Sequence, residues 1–126
     1  MTEEIIAKIK VWLQDKFEFE SLPDEVIAIN FGIQKVFDGY ELYQNGCDDF
    51  NEEHETWMLS EVYEPEDNFF NLGVQSLNLT EADIYKLYKN EVLIALEHKQ
   101  SDPKHLKYIT ITYFNGQPEL IKTMTE

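Results

Sequence analysis

The sequence contains no arginine: all ten of its cationic residues are lysine. Arginine supplies the bidentate fork that grips phosphate and many of the base-specific contacts in nucleic-acid-binding proteins. Against 25 acidic residues, ten lysines leave a formal net charge of -15 and a pI near 4.4. Both features argue against direct binding of DNA or RNA. The same field repels anionic membranes and favours a basic partner.

Cysteine and long apolar runs are also scarce. Cys47 is the only cysteine, so it cannot form an internal disulfide, which fits a reducing cytoplasm. No apolar run approaches the roughly 20 residues that a membrane-spanning helix needs. The segment Met1–Glu4 is acidic, whereas a secretory signal begins basic and continues apolar. We therefore expect a cytoplasmic protein.

Apolar and aromatic residues, by contrast, are plentiful. They make up 43% and 13% of the chain, which is too much for a disordered acidic tail. A chain of 126 residues is long enough to bury roughly two-thirds of its unfolded surface in one core. The sequence therefore predicts a single folded domain over residues 1–126.

Two stretches have the apolar spacing of helices. The first is a helix over 3–17 in which Trp12 is a core anchor, with its stripe formed by Ile5, Ile9, Trp12, Leu13 and Phe17. The second begins at Thr80, which with Asp83 resembles a capping box, and runs to about His98. Residues 92–96 taken alone also fit a buried strand, but the length of the periodic segment and its cap favour a helix.

The period changes to two between Val26 and Lys35, which predicts a strand. Asp38-Gly39 then predicts a tight hairpin with Phe37 opposite Tyr40, and Asn45-Gly46 ends the return strand. This register places six apolar side chains on one face: Ile29, Phe31, Ile33, Phe37, Tyr40 and Leu42.

A second hairpin is predicted near the end of the sequence. A strand over 106–114, the turn Asn115-Gly116 and a return over 119–123 place Leu120 on one face with Ile109, Ile111 and Tyr113. Two hairpins and two helices predict an α+β domain with a mainly antiparallel sheet covered by the helices.

The section between the hairpin and the second helix is strongly acidic. Residues 36–85 contain thirteen carboxylates and no lysine, so they carry all but -2 of the net charge. Residues 47–78 lack a clean period and predict a long connection with one short strand inside 56–63. A connection of that length in a small domain is often functional. We expect Trp57 to be buried, together with Phe31, Tyr40 and Leu42 of the first hairpin. Some of Tyr43, Phe50, Tyr63 and Phe69 should be exposed.

Catalytic and metal sites are weakly supported. The alternating oxygen ligands that begin at Asp49 resemble a calcium loop, but the sixth and twelfth positions hold His54 and Ser60 instead of Gly and Glu. No second His or Cys lies at zinc-ligand spacing from His54. Cys47 is followed by Asp48 and Asp49, which raise a thiol pKa and suppress the nucleophilic thiolate. We therefore expect no enzymatic activity, no metal and no cofactor.

Parts of the chain resemble small acidic bacterial immunity proteins, which are encoded beside polymorphic toxins. The resemblance covers about half the chain: Gly39–Gly46, Asp48–Glu53, Trp57 and Phe114–Leu120. The sequence departs from that group at Asn115, where an acidic Asp-Gly turn is more usual. The resemblance implies tight binding and neutralisation of a cognate toxin, often a basic nuclease, in the cytoplasm.

Together these observations predict a non-enzymatic binding protein of immunity type that meets a basic protein partner through residues 48–67. Carboxylates would steer the partner and aromatic rings would anchor it. The expected contact residues are Asp48, Asp49, Phe50, Glu52, Glu53, Glu55, Glu61, Tyr63, Glu64, Glu66 and Asp67. Two alternatives remain: a small metal-dependent hydrolase that uses these carboxylates with His54, and a structural or assembly protein.

Overall fold

The fold is known from a computed structural model. It describes residues 2–16, 22–51, 53, 55–65, 68–98, 105–113 and 117–123, with only the backbone of Glu55 and His98. The helices are α1 (Thr2–Lys16) and α2 (Glu81–His98). The strands are β1 (Ala28–Val36), β2 (Gly39–Cys47), β3 (Glu61–Tyr63), β4 (Phe70–Asn71), β5 (Tyr108–Tyr113) and β6 (Glu119–Thr123). Two 3-10 helices, Glu55–Leu59 and Val74–Asn78, complete the described elements.

All six strands belong to one sheet in the order β3-β2-β1-β5-β6, and β4 also pairs with β2. Every pairing is antiparallel except that of β1 with β5. The α+β class and the mainly antiparallel sheet are therefore confirmed. The parallel pair joins the two predicted hairpins through their first strands.

Both helices cover the same face of the sheet, called here the helix face. Trp12 of α1 packs edge-on against Phe31 of β1, with ring centroids 6.2 Å apart. Tyr88 and Val92 of α2 are fully buried in the same core, which confirms that residues 92–96 are helical. The N–H of Asp83 donates to the Thr80 hydroxyl at 3.1 Å, so the predicted cap exists.

The first hairpin turns one residue earlier than predicted. Val36 pairs with Gly39 and Lys35 with Tyr40, so the two turn residues are Phe37 and Asp38. Each β1 residue therefore pairs with a β2 residue two positions earlier than predicted. Because side chains alternate between the two faces, a shift of two leaves every strand residue on its predicted face. Phe37, however, lies in the turn and is 95% exposed, so its predicted place in the core is wrong.

Gly39 explains the shift, because it serves a close approach rather than the turn itself. A Cβ on Gly39 would overlap the side-chain oxygen of Asn71 and lie 2.8 Å from the carbonyl oxygen of Gly73. The neighbouring Tyr40 N–H donates to the hydroxyl of Ser76 at 2.9 Å. The hairpin end is therefore docked against residues 71–76.

The second hairpin carries a bulge that the sequence did not reveal. Ile109 pairs with Lys122 as predicted, but the register then shifts, and Leu120 lies opposite Thr110. Ile121, rather than Leu120, packs against the core that contains Ile109 and Ile111. The shared face predicted for Leu120 is therefore wrong, since one extra residue reverses the alternation. The turn predicted at Asn115-Gly116 lies outside the described residues.

The connection over 47–78 is more ordered than predicted. Within the segment 56–63, where the sequence predicted a strand, the first part belongs to the 3-10 helix Glu55–Leu59 and the strand is confined to Glu61–Tyr63. The strand prediction placed Trp57 and Leu59 together, but Trp57 is 2% exposed and Leu59 86%. A helix with about three residues per turn separates residues two apart, which a strand would align.

Candidate functional site

The second face of the sheet, opposite the helices, carries a row of buried polar side chains across three strands. The Asn30 amide donates to the Asn45 oxygen at 3.2 Å. The Asn30 oxygen accepts from the hydroxyls of Thr110 at 2.8 Å and Thr112 at 2.7 Å. These four residues of β2, β1 and β5 are all buried. The network satisfies their polar groups and ties the parallel pair to the hairpin.

Tyr43 covers the next position along this face. Its ring lies over Gly32, the residue it pairs with on β1, so closely that a Cβ on Gly32 would overlap it. The missing side chain therefore makes room for the tyrosine ring. The ring of Phe69 lies 6.0 Å from that of Tyr43 at an interplanar angle of 32°.

A small apolar cluster closes one end of the second face. Trp57 packs on Ala28 and Cys47, and Phe50 joins it at a ring distance of 5.1 Å. The Phe50 ring also stacks on Tyr108 at 4.0 Å and 15°. Phe50, predicted as a partner anchor, therefore uses its ring for packing within the protein.

Between Tyr43 and this cluster lies a cavity of about 300 Å³, called here the second-face pocket. Strands β1 and β2 form its floor, and the 3-10 helix, β3 and the residues before β4 form its walls. It is lined by Gln34, Tyr43, Asn45, Met58, Glu61, Glu64, Asn68 and Phe69. Aromatic rings, amides and two carboxylates thus meet in one depression.

Phe69 occupies an unusual backbone conformation at this pocket. Its φ is 62°, in the left-handed region that bulky residues rarely enter. Its ring is 51% exposed. The next residue, Phe70, pairs with Leu42 of β2, and Asn68 accepts from the Gln44 N–H at 2.8 Å. Contacts on both sides thus hold Phe69 in a costly conformation that keeps a large ring at the pocket.

Glu61 and Glu64 supply the pocket's charge. Burial against the pocket wall raises the pKa of Glu61 above its usual range, and repulsion by Glu64 and a hydrogen bond with it raise the pKa further. Although Glu61 is exposed as a residue, its carboxyl group is partly shielded from water. Asn68 donates to Glu64 at 3.3 Å, which positions the second carboxylate. Two carboxylates that line one pocket favour the binding of a cation there.

The other predicted contact residues lie in different environments. Asp48, Asp49 and Glu53 are exposed at the surface before the 3-10 helix. Tyr63 is half-buried and packs against the core of the helix face. Glu52, Glu66 and Asp67 lie outside the described residues, as does His54, and only the backbone of Glu55 is described. Of the eleven predicted residues, Glu61 and Glu64 are therefore brought together in the pocket.

Cys47 is buried behind these carboxylates. Burial, as the largest cause, and the charges of Glu61 and Asp48 together raise the pKa of its thiol to about 12. The predicted direction is confirmed, although the largest cause is burial, which the sequence did not show. The thiol is therefore protonated at neutral pH and a poor nucleophile.

Metal-ligating residues do not cluster in the described part of the chain. No group of three or more His, Cys, Asp or Glu side chains there could hold a metal ion. No helix in the described ranges is long and apolar enough to cross a bilayer.

Six of the eight pocket residues were absent from the predicted contact set. Gln34, Tyr43 and Asn45 come from strands, where alternation marks them only as facing away from the core. Met58, Asn68 and Phe69 come from segments without a period. The one local signal in the sequence is the aromatic pair Phe69-Phe70, which follows the acidic residues Glu64, Glu66 and Asp67.

Comparison of the chain with protein-family models, with curated proteins and with solved structures gave no match.

Proposed function

We propose that this protein is a non-enzymatic, cytoplasmic binding protein of immunity type, which neutralises a basic protein partner through the acidic surface of residues 48–67. The observation that carries the proposal is a set of carboxylates without cationic partners. Within the described part of the chain, the ion pairs involve other acidic residues: Asp15, Asp24, Glu91 and Glu119. Asp48, Asp49, Glu53, Glu61 and Glu64 form none there.

Uncompensated carboxylates on one surface repel each other and disfavour the folded state slightly. A basic partner would relieve that repulsion and would be drawn in by the long-range field of a chain with a net charge of -15. Electrostatic complementarity of this kind mainly raises the association rate and excludes acidic competitors. Rapid capture suits an inhibitor that must neutralise a toxin within the same cell.

Packing supports the same surface. The 3-10 helix is anchored by Trp57 in the cluster with Ala28 and Cys47, and Asp48 donates its N–H to the Ser60 carbonyl at 3.3 Å. The carboxylates before and after the 3-10 helix are thereby attached to the sheet. Anchored charges lose less conformational freedom on binding, which favours affinity.

The proposal is tested by co-expression and pull-down with the product of the neighbouring gene. A segment variant, Asp48→Asn with Asp49→Asn and Glu53→Gln, should weaken retention by about tenfold or more at moderate salt. A matched control removes three exposed carboxylates elsewhere, Glu4→Gln, Glu25→Gln and Glu97→Gln, and changes net charge equally. Absence of binding, or equal losses in both variants, would refute the proposal.

A further inference from the structure

The second-face pocket has the size and lining of a site for one cationic side chain. We propose that it receives an arginine side chain of the basic partner, with the guanidinium between Glu61 and Glu64 and against the rings of Tyr43 and Phe69. This inference rests on the proposed function and names the chemistry of its central contact.

Volume sets the size of the occupant. The pocket encloses about 300 Å³, at the lower end of the roughly 300–1,000 Å³ of pockets that bind small molecules. Its floor of Asn45 and Gln34 is polar, and Asn45 is itself buried and hydrogen-bonded. A single extended side chain with a polar end fits such a shallow site better than a folded cofactor does.

The aromatic pair selects a flat, weakly hydrated cation. Tyr43 is fixed over Gly32, and the Phe69 ring lies 6.0 Å from it. A cation within about 6 Å of a ring centroid is attracted by the negative face of the ring. A guanidinium additionally stacks on aromatic faces, whereas an ammonium retains a tight water shell.

The carboxylates complete the selection. Glu64 is oriented by Asn68 at 3.3 Å, and Glu61 lines the same pocket. Two carboxyl groups in one pocket present several acceptor oxygens to one ligand, and arginine offers five N–H donors in a rigid fork. The guanidinium would donate to oxygens of both carboxyl groups.

The pocket is also supported before any ligand arrives. Gln34 donates to Glu41 at 2.7 Å, and Asn68 accepts from the backbone of Gln44. The contacts of Asn68 and Phe70 with β2 hold the backbone of Phe69 in its left-handed conformation. Preorganised groups avoid part of the entropy cost of binding.

The direct test is an NMR titration of the full chain with Nα-acetyl-arginine amide. Nα-acetyl-citrulline amide, which has nearly the same shape without the charge, and Nα-acetyl-lysine amide serve as comparison ligands; the three are called arginine, citrulline and lysine amide below. Arginine amide should shift the pocket resonances saturably, and both comparison ligands should bind about tenfold more weakly. Equal binding of citrulline amide or lysine amide would overturn the inference.

Variants locate the site. The pocket variant Glu61→Gln with Glu64→Gln should weaken arginine amide binding by about tenfold, because glutamine keeps the hydrogen bonds and loses the charge. Glu25→Gln with Glu97→Gln removes the same charge at exposed positions outside residues 48–67 and should change affinity less than about twofold. Equal loss in the two variants would indicate general attraction to an acidic surface and would overturn the inference.

Gly32→Ala tests the aromatic wall independently of charge. The added methyl group must displace the Tyr43 ring, so arginine amide should bind about threefold or more weakly. Phe69→Leu, which removes the second ring, should give a similar loss. If both variants fold by circular dichroism and bind arginine amide normally, the rings do not form the site.

The inference and the proposed function fail separately. If the segment variant loses the protein partner while the pocket variant retains it fully, the arginine site is wrong and the proposed function stands. If no basic partner binds, the proposed function is wrong, and the titration with arginine amide still decides whether the pocket recognises a guanidinium.

Discussion

At the scale of single residues, the environment of Cys47 determines its chemistry. Its side chain is fully buried behind Trp57, and its thiol pKa is raised to about 12 by burial and by nearby carboxylates. A sequence with one cysteine next to two aspartates predicts the direction of the shift. The larger effect, burial, depends on the 3-10 helix that covers the strand end, and the sequence has no pattern for that helix.

Cys47 should therefore resist modification in the folded protein. With Ellman's reagent at pH 8, the native protein should react at least about a hundredfold more slowly than the protein unfolded in urea, because both thiolate formation and access require opening. The unfolded sample is the internal control for reagent activity. Rapid stoichiometric labelling of the native protein would contradict this account.

The environment of Glu119 lowers its pKa, whereas that of Cys47 raises the thiol pKa. It accepts from the Lys89 ammonium and from the Tyr85 hydroxyl, and the hydrogen bond with Lys89 is the main cause of its lowered pKa. These bonds join β6 to α2. Because the pKa in the folded state lies below that in the unfolded state, the carboxylate stabilises the fold above the unfolded value and loses this effect as pH falls through the folded value.

Glu119→Gln should accordingly cost about 1 kcal/mol of unfolding free energy at pH 7, a small value because both partners are partly exposed. The difference from the parent should shrink as pH falls below the ordinary glutamate range. Urea titrations at several pH values measure it, with Glu97→Gln, at an exposed position on α2, as control. A difference that persists unchanged into acid would show that the charge is not the cause.

At the scale of elements, the strength of the sequence pattern decided what could be predicted. Long periodic segments, α1, α2, β1 and β2, were predicted within a few residues, because their apolar spacing reflects one continuous buried face. The strands β3 and β4 have three and two residues. Elements that short carry no period, so they become visible only through their pairing with β2.

The hairpin turn illustrates a different limit. Asp-Gly is a strong turn signal, yet the turn residues are Phe37 and Asp38, and Gly39 is needed because Asn71 and Gly73 approach its backbone. The sequence marks Gly39 as a special position, but the contacts that require a glycine there come from residues distant in the sequence. A signal read from neighbours in sequence cannot distinguish a turn requirement from a packing requirement 32 or more residues away.

Gly39→Ala should therefore destabilise the protein by about 2 kcal/mol, because the added carbon overlaps the docked loop and the φ of 156° is unfavourable for alanine. Phe37→Ala, in the same turn, should change stability by less than about 0.5 kcal/mol, because its ring is exposed. Thermal or urea unfolding compares the two. If Phe37→Ala destabilised the protein more than Gly39→Ala, Phe37 would lie in the core as the sequence predicts, and this account of the turn would be wrong.

At the scale of the whole molecule, charge and topology combine to form the candidate site. The second-face pocket takes residues from β1, β2, the 3-10 helix, β3 and the segment before β4. The sequence could locate the acidic section because charge is a property of composition. It could not locate the pocket, because strand register and a shift between Gly46 and Cys47 in the β2–β3 pairing determine which side chains meet.

The two faces of the sheet are buried by different kinds of contact. The helix face provides the large apolar core, and the second face is buried through a polar network and one small aromatic cluster. Glu61 and Glu64 therefore lie at a face that neither α1 nor α2 covers. This arrangement leaves an acidic, aromatic surface available to a partner.

The central claim is that this surface captures a basic protein, and association kinetics test it most directly. The product of the neighbouring gene is mixed with the parent protein, the segment variant and the matched control while salt is varied. We predict that the association rate falls about tenfold in the segment variant, stays within about twofold in the control, and declines with salt most steeply for the parent. Equal rates for all three proteins, or equal losses in both variants, would contradict the account.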